Sequence, residues 1–450
     1  MSLWQGDELA KAVGSNDAGF VVTGVSIDSR TLQPGDLFVA LVAERDGHDF
    51  VADAFAKGAA GALVSRDVPG VGPRLRVDDT LAALQRLGAA ARARCKGKLI
   101  AVTGSVGKTT TKEMLRRILS GFGTTHAAEA SFNNHIGVPL TLARMPRETE
   151  FAVLELGMNH PGEILPLTTM ANPDAAIITT IERAHIGLMG SIEAIMREKA
   201  SIFQGVRAGG TAIIPYDSRF YEDLSALAPS GIEQLSFGEG EFAEARLFSA
   251  ESDQVSCYVK GIVAGTKIDF ILGAPGRHMA MNAMAALAAC HAIGLDVVKA
   301  ADKIEAFVPV SGRGLRHIIN VGGNRVYLLD ESYNASAASI RAALQVLALQ
   351  PGRHIAVLGD ILELGDEAEA EHLSLRDDVI KFADYVFTCG EMMGRLFATL
   401  PSDRQGAHAK TAALLGPLVK SALHQNDTVL VKGSYGSRMR DVVSILEGPC

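Results

Sequence analysis

No stretch of this sequence runs to about 18 uninterrupted apolar residues. The opening MSLWQGDELAKAV also lacks a basic start followed by an apolar core. Neither a membrane span nor a signal peptide is expected, and the expectation is a soluble, cytoplasmic chain with no membrane partner. Cysteine is scarce: Cys95, Cys257, Cys290, Cys389 and Cys450 are odd in number, scattered and without C-x-x-C spacing. They read as reduced cytosolic thiols, not as a zinc site. Net positive charge is missing too. At −8 the chain has no basic field for nucleic acid, so an anionic ligand must be met by local clusters. Low-complexity linkers and repeats of solenoid period are absent as well.

Glycine, by contrast, is plentiful: 46 residues, above an average share of about 7%. That suits an α/β chain with many tight turns between strands and helices. At 450 residues the length exceeds what one core usually holds, and two or three domains are expected.

The most informative stretch is LIAVTGSVGKTTTKEMLRRILSGF, residues 99–122. An apolar run turns through Gly104 and Gly107, and Met114, Leu115, Ile118, Leu119 and Phe122 then recur at helical spacing. Strand, glycine turn and helix make a phosphate cradle: backbone N–H groups approach the oxygens and the helix N-terminus adds partial positive charge. Gly104, Ser105, Gly107, Lys108, Thr109 and Thr110 are the candidate nucleotide contacts, with Lys108 reaching the terminal phosphates and Thr109 able to ligate Mg²⁺. The loop is shorter than the usual G-x-x-x-x-G-K-[ST], whose first glycine falls on Val102.

Before this loop, residues 1 to about 97 read as a small α/β unit, with strands near 21–27, 37–41 and 62–64 and helices near 51–57 and 80–95. Its polar stretches Asp28-Ser29-Arg30-Thr31 and Asp46-Gly47-His48-Asp49 read as turns and a helix cap, or as anion and sugar contacts. From Lys98 to about Val310 strand and helix alternate, as a mostly parallel sheet with covering helices requires. Ligands collect at the carboxyl ends of such strands, where Glu155 and His185 fall.

Glu155 is a carboxylate inside an apolar strand, and its burial must be compensated by Mg²⁺ with phosphate oxygens or by a buried cation. His185 reads as a cap or core histidine, or as a ligand. Lys199 lies on the apolar stripe Ile195, Met196, Ile202, Phe203. Either it snorkels from the edge of the stripe, or burial makes its neutral amine available near pH 7 to form a carbamate with CO₂, an anionic metal ligand. Asn282, one turn into the helix that follows PGRH, can present a donor and an acceptor to an adenine edge, or is an ordinary polar shoulder. Gly312-Arg313-Gly314 reads as a joint carrying one cation. Beyond it come strands near 326–329, 355–358, 385–388 and 429–431, whose ends carry Asp330 to Asn334, Gly359-Asp360 and Lys432-Gly433-Ser434.

The ordered runs TGSVGKTTTKEML, SFNNHIGVPLTL, ELGMNHPGEI, Ala-His with a lysine fourteen residues on, GRHMAMNAMAA, DESYNASAASIRAAL, VLGDILELGDEAEAEH and VLVKGS resemble the bacterial Mur ligases. GVSIDSRTLQPGDLFVAL and DGHDF extend the resemblance over nearly the whole chain. NNHIGVPLTL, DESYNA and VLGDILELGD point within the family to the ligase that adds D-alanyl-D-alanine to a UDP-N-acetylmuramoyl-tripeptide. The resemblance implies an α/β fold of three domains: 1–97 for the UDP-sugar, a central P-loop ATPase-type, mostly parallel sheet over 98–312, and a Rossmann-like 313–450 for the amino component. It implies a monomeric ATP-dependent peptide ligase with two Mg²⁺, one at Thr109 and Glu155 and one at His185 and a carbamylated Lys199. Lys108, Glu155, His185 and Lys199 would be catalytic, and Asn282, Arg313 and Asp330 would meet adenine, phosphate and ribose. Ser29, Arg30, Asp46, Gly47, His48, Asn133, Asn134, Tyr333, Asn334, Lys432 and Ser434 are the implied substrate contacts. Val106 and Met279 stand where the family commonly has asparagine, and AHIGLMGS departs from the usual AHLEGFGS. Other ligases on this scaffold and a non-catalytic nucleotide switch are the rival readings.

Overall fold

The computed structural model describes residues 2–17, 19–69, 72–128 and 131–448; Cys450 lies outside them. Three sheets organise the chain. In the first, Gly24–Ser26, Asp36–Val39, Gly61–Val64 and Arg74–Arg76 lie side by side, all parallel. Arg74–Arg76 and the first helix, Gly6–Val13, have no counterpart in the sequence reading. This unit does not close its own core: Leu37, Leu63, Leu84 and Leu87 pack with Leu140 and Ala143 of the helix Gly137–Ala143, which belongs to the next unit. Polar contacts reinforce that junction. Trp4 Nε1 donates to Ala143 O at 2.9 Å and the Arg94 guanidinium lies 3.4 Å over the Trp4 ring. Buried Asp174 gathers Arg92, Lys98 and Arg207 and accepts the Leu99 N–H.

The second sheet has nine strands. Lys98–Thr103 sits between Phe151–Glu155 and Ala175–Ile178, so the chain, having gone to one side, crosses to the other. That reversal opens a crevice at the carboxyl end of Lys98–Thr103, where the glycine loop begins. At the far edge the expected strand–helix alternation gives way to an antiparallel meander, Ala245–Ser252, Cys257–Val263 and Thr266–Leu272. The reason is local: Ala264 and Gly265 both take positive φ, 46° and 84°, in a two-residue hairpin, and burial alternates along each flanking strand.

The third sheet runs Leu315–Val321, Asn324–Glu331, Thr428–Lys432, His354–Gly359, Tyr385–Cys389 and Gln405–Ala409, parallel except for the first pair. The first and last of these strands were not expected from the sequence. Asn324–Glu331, Thr428–Lys432 and His354–Gly359 end facing the central sheet's crevice, which places Glu331, Tyr333 and Asn334, residues 361–364, and Lys432 with residues 434–436 along its wall.

Candidate active site

Between the central and C-terminal units lies a cleft of about 1120 Å³. Its floor is the glycine loop. Gly104, at φ 146°, has no room for a side chain because a Cβ would overlap Thr179 Oγ1. Gly107, at φ 89°, lets the chain turn into the helix Lys108–Leu119, and a Cβ there would lie 2.5 Å from Asn282 Oδ1. Asn282 therefore abuts the glycine loop itself. Ser105 Oγ donates to Glu182 O at 3.0 Å and Val106 N–H to Thr180 Oγ1 at 3.0 Å, tying the loop to the segment after Ala175–Ile178. Lys108 is folded back, its amine 2.7 Å from Gly104 O.

Glu155 ends its strand buried against this floor. One carboxylate oxygen accepts the Thr109 hydroxyl at 2.6 Å and the other the Asn133 amide at 2.8 Å. Burial alone would raise this carboxyl, but the charges of Lys108 and Arg313 and these two hydrogen bonds hold it below its usual range. It is ionised. Asn133, expected as a substrate contact, here braces Glu155, while Asn134 Oδ1 accepts the Ile136 and Gly137 N–H groups outside the cleft lining.

Lys199 is buried beneath the cleft, in the helix Ile192–Ala200. Among the described residues its amine makes no hydrogen bond or ion pair, and burial with the nearby Lys108 charge drives its pKa well below the ordinary lysine value, against the pull of Glu198. The reading of a snorkelling lysine is thus overturned. His185, at φ 63°, lines the cleft and feels both Lys108 and Lys199. Burial is the chief cause of its lowered pKa, opposed by Glu363. The phosphate loop, Glu155 and His185 line one cleft, and Lys199, outside that lining, is near enough for its charge to act on His185.

The C-terminal unit supplies the other wall. Arg313 donates to Ser131 Oγ at 3.1 Å and lies 4.1 Å over the Tyr333 ring, which packs with Tyr435. Lys432, buried, bridges Glu331 at 3.0 Å and Asn334 O at 3.1 Å, and Ser434 Oγ accepts the Leu362 N–H. Asp330 is placed otherwise than in the wall: its carboxylate accepts hydrogen bonds from Ser311, Gly312 and Ser332 and clamps the joint between domains.

The N-terminal candidates stand apart from this cleft. Ser29 is buried, with its carbonyl on Lys57 Nζ, and exposed Arg30 pairs with Asp28. His48 is buried with Nε2 accepting the Ser65 N–H at 2.9 Å and Nδ1 on Asp46 at 2.6 Å, so its ring braces the loop. The His48 backbone and ring, with Arg66, hold the Asp46 carboxyl down to about 2. Gly47 sits where a Cβ would crowd Leu41 O at 2.7 Å.

Several cleft residues were not named as site candidates from the sequence, His278 and Glu363 among them, and Glu331 was read only as part of the strand end Asp330 to Asn334. His278, Glu331 and Glu363 sit in the runs GRHMAMN, DESYN and VLGDILELGD, so the motifs carried the signal.

A glycine loop at the carboxyl end of an interior strand where the sheet order reverses, facing a buried carboxylate and roofed by a second α/β unit, defines a nucleotide-using α/β enzyme of three domains. The Mur ligase middle domain matches residues 102–290, the Mur ligase glutamate ligase domain 317–435, and the Mur ligase family catalytic domain 21–92. The chain belongs to the Mur ligase family. It is 36% identical over 443 residues to a UDP-N-acetylmuramoyl-tripeptide–D-alanyl-D-alanine ligase of Escherichia coli (strain K12), covering 96% of each chain. A ligase of the same name from Bacillus subtilis (strain 168) is 35% identical, with 95% of this chain and 94% of the relative covered. MurF from Acinetobacter baumannii superposes with a TM-score of 0.88 at 32% identity, covering 99% of both chains. MurF ligase from Thermotoga maritima in complex with ADP superposes at 0.81 and 25% identity, over 95% of this chain and 97% of that one.

Proposed function

We propose that this chain joins D-alanyl-D-alanine to a UDP-N-acetylmuramoyl-tripeptide, consuming ATP and releasing ADP and phosphate. The observation that supports it most is the convergence of the glycine loop, Glu155, His185 and Arg313 on one cleft, with the buried amine of Lys199 near enough to feel Lys108. Relatives of that printed activity align over nearly the full chain. In this reading residues 1–97 hold the UDP-sugar, 98–312 the ATP and 313–450 the amino component. On the same reading the chain acts as a monomer, and among the described residues no helix is long and apolar enough to cross a membrane. The reading places the enzyme in the cytoplasm.

A carboxylate is a poor electrophile, and ATP corrects this. An oxygen of the tripeptide's terminal carboxylate attacks the γ-phosphorus, ADP leaves, and an acyl phosphate results. The amine of D-alanyl-D-alanine then adds to the acyl carbon, and phosphate departs from the tetrahedral intermediate. Several negative charges oppose the first step. Lys108 releases Gly104 O and turns to the β- and γ-phosphates, while Arg313 adds a second cation from the roof. Asn282, against Gly107, limits how the nucleotide passes the loop, and Tyr333, Asn334, Lys432 and Ser434 border the space left for the amino component. Closure of the C-terminal unit excludes water and protects the acyl phosphate.

The donor set fits divalent cations: an ionised Glu155 joined to the Thr109 hydroxyl, and His185 above a lysine whose buried, unpartnered amine can take CO₂ as a carbamate with loss of a proton. Among the described residues no group of three His, Cys, Asp or Glu side chains could hold a metal by itself, so a cation here would also need oxygens from the nucleotide. Thr109 and Glu155 would hold one Mg²⁺ and His185 with a carbamylated Lys199 the other, and such ions would supply the positive charge that lets carboxylate and triphosphate approach.

The test is phosphate release by the purified chain. It should require ATP, UDP-N-acetylmuramoyl-tripeptide and D-alanyl-D-alanine together. Release driven by a single amino acid in place of the dipeptide would move the chain to an earlier ligase of the family. Nucleotide binding with no release under any combination would leave a switch.

A further inference from the structure

The run VLGDILELGD is the motif that neither the glycine loop nor the sheets account for. It leaves the strand His354–Gly359 and crosses to the central unit as the loop 360–367. Glu363 and Gly365 both take left-handed backbone, φ 65° and 56°, which turns the loop back so that Glu363 presents its carbonyl and its carboxylate on the same side. Gly187 N–H donates to Glu363 O at 2.9 Å, and the Glu363 carboxylate meets His185 Nδ1. A Cβ on Gly187 would lie 2.7 Å from Gly365 N, so the two backbones are already in contact. Arg183 pairs with Glu367 at 2.8 Å beside this contact, and Ile186 packs on the C-terminal core.

The loop is held from behind as well. Buried His372 accepts the Ile361 N–H at Nε2, 2.9 Å, and reaches Ala368 O with Nδ1, 2.6 Å. Such bracing is more than a passing surface contact needs. Its effect is to present Glu363 at a defined place, and that place is the ring of His185.

A neutral imidazole has one donor and one acceptor nitrogen. A carboxylate oxygen accepts, so the contact with Glu363 places the hydrogen on Nδ1 and leaves the Nε2 lone pair of His185 bare. Histidines that ligate metals are oriented and their tautomer set in this way. Among the described residues the His185 ring has no other hydrogen-bond partner: it stands at the N-terminus of the short helix Ile186–Met189, but its side chain makes no cap hydrogen bond there. The geometry points to Glu363 as a positioning residue for His185, delivered by docking of the C-terminal unit: the loop 360–367 prepares the imidazole of the central unit for its cation only when the two units meet. This rests on the reading of His185 as a cation-serving residue.

The experiment is Mn²⁺ titration of the full chain with ADP, followed by electron paramagnetic resonance, together with ¹⁵N-histidine spectra that report the His185 tautomer. Wild type should show hydrogen on Nδ1, and Glu363→Ala should shift it toward Nε2. His185→Ala and Glu363→Ala should each weaken Mn²⁺ binding about 10- to 100-fold. Glu363→Gln, whose amide oxygen still accepts from Nδ1, should restore most of the affinity and the tautomer. Weakening by His185→Ala but not by Glu363→Ala overturns the positioning role and leaves the cation reading standing. Equal binding by wild type and His185→Ala overturns the cation reading itself, and the positioning role with it. Half-exposed Glu363 is not part of a core, and an unchanged melting temperature for Glu363→Gln separates positioning from misfolding.

Discussion

Thr109 donates its hydroxyl hydrogen to Glu155 Oε2 at 2.6 Å, across the gap between a helix N-terminus and a strand's carboxyl end. The bond joins the two groups on which one cation is proposed to sit. With Asn133 on the other oxygen, Glu155 has no freedom to turn away. A carboxylate fixed this way is already in place for a cation and needs no reorganising when the reaction begins.

Glu155→Gln keeps the shape and a hydrogen-bond acceptor for Thr109 but removes the charge. Turnover is expected to fall roughly 100-fold or more, with the Mg²⁺ concentration for half-maximal rate shifted upward. Steady-state phosphate release across a Mg²⁺ series checks both. A rate within twofold of wild type would remove the carboxylate from the mechanism.

Gly107→Ala places a methyl 2.5 Å from Asn282 Oδ1 at a φ of 89°. Strain of roughly 1–3 kcal/mol is expected, and the loop must shift to relieve it. Calorimetric titration with ADP should show affinity reduced about tenfold or more, alongside a lowered melting temperature.

Lys199→Met replaces a buried amine that has no partner with an apolar chain of similar length. Stability at neutral pH is expected to rise by roughly 0.5–2 kcal/mol, while ligation is lost. Denaturant unfolding and phosphate release on the same preparation give both numbers. Full turnover by Lys199→Ala, without added short carboxylates to replace the carbamate, would discard the role assigned to this lysine.

Burial pushes the Cys290 thiol up to about 12, and Cys389 likewise with Asp360 adding to it. A folded-state pKa above the ordinary 9.0 contributes stability below pH 9 and loses it as pH rises from there toward 12, because the unfolded chain gives up protons that the folded one keeps. The four described cysteines are all buried and unpaired. At pH 8 alkylation followed by peptide mass spectrometry should leave Cys290 and Cys389 unlabelled until denaturant is added.

Asp174 is the hub between the first two units, meeting Arg207 at 2.7 Å, Lys98 at 3.2 Å and Arg92 at 3.4 Å. Asp174→Ala leaves a largely buried Arg92 without its counter-charge, and a loss of about 3–5 kcal/mol is expected. Urea unfolding should show it as a lowered midpoint, and limited proteolysis should cut near the 95–98 junction.

Much of the architecture could be read from the order of residues. The glycine loop is a local object: Gly104, Gly107 and the helix after Lys108 dictate their own geometry whatever surrounds them. Strand ends carrying polar residues at 155, 185, 330 and 432 were visible because an apolar run that stops at a charge marks where a sheet meets its ligands. The hairpin at Ala264 and Gly265 was equally local, in two positive φ angles and an alternating pattern, yet the repeat of strand and helix before it masked the change.

What linear order could not decide was which distant side chains consume one another. Asp330 looked as available as Glu155 from its place at a strand end, but Ser311, Gly312 and Ser332 take up its oxygens, whereas Glu155 keeps its charge facing the cleft. Lys199 could have snorkelled, and only the packing around Ile195 and Phe203 encloses its amine. Glu363 meets His185 across 178 residues of chain, a contact made by docking one unit on another. Local sequence sets backbone turns and element type through short-range sterics, but hydrogen-bond capacity and solvation are shared over space, and only the folded chain settles how they are divided.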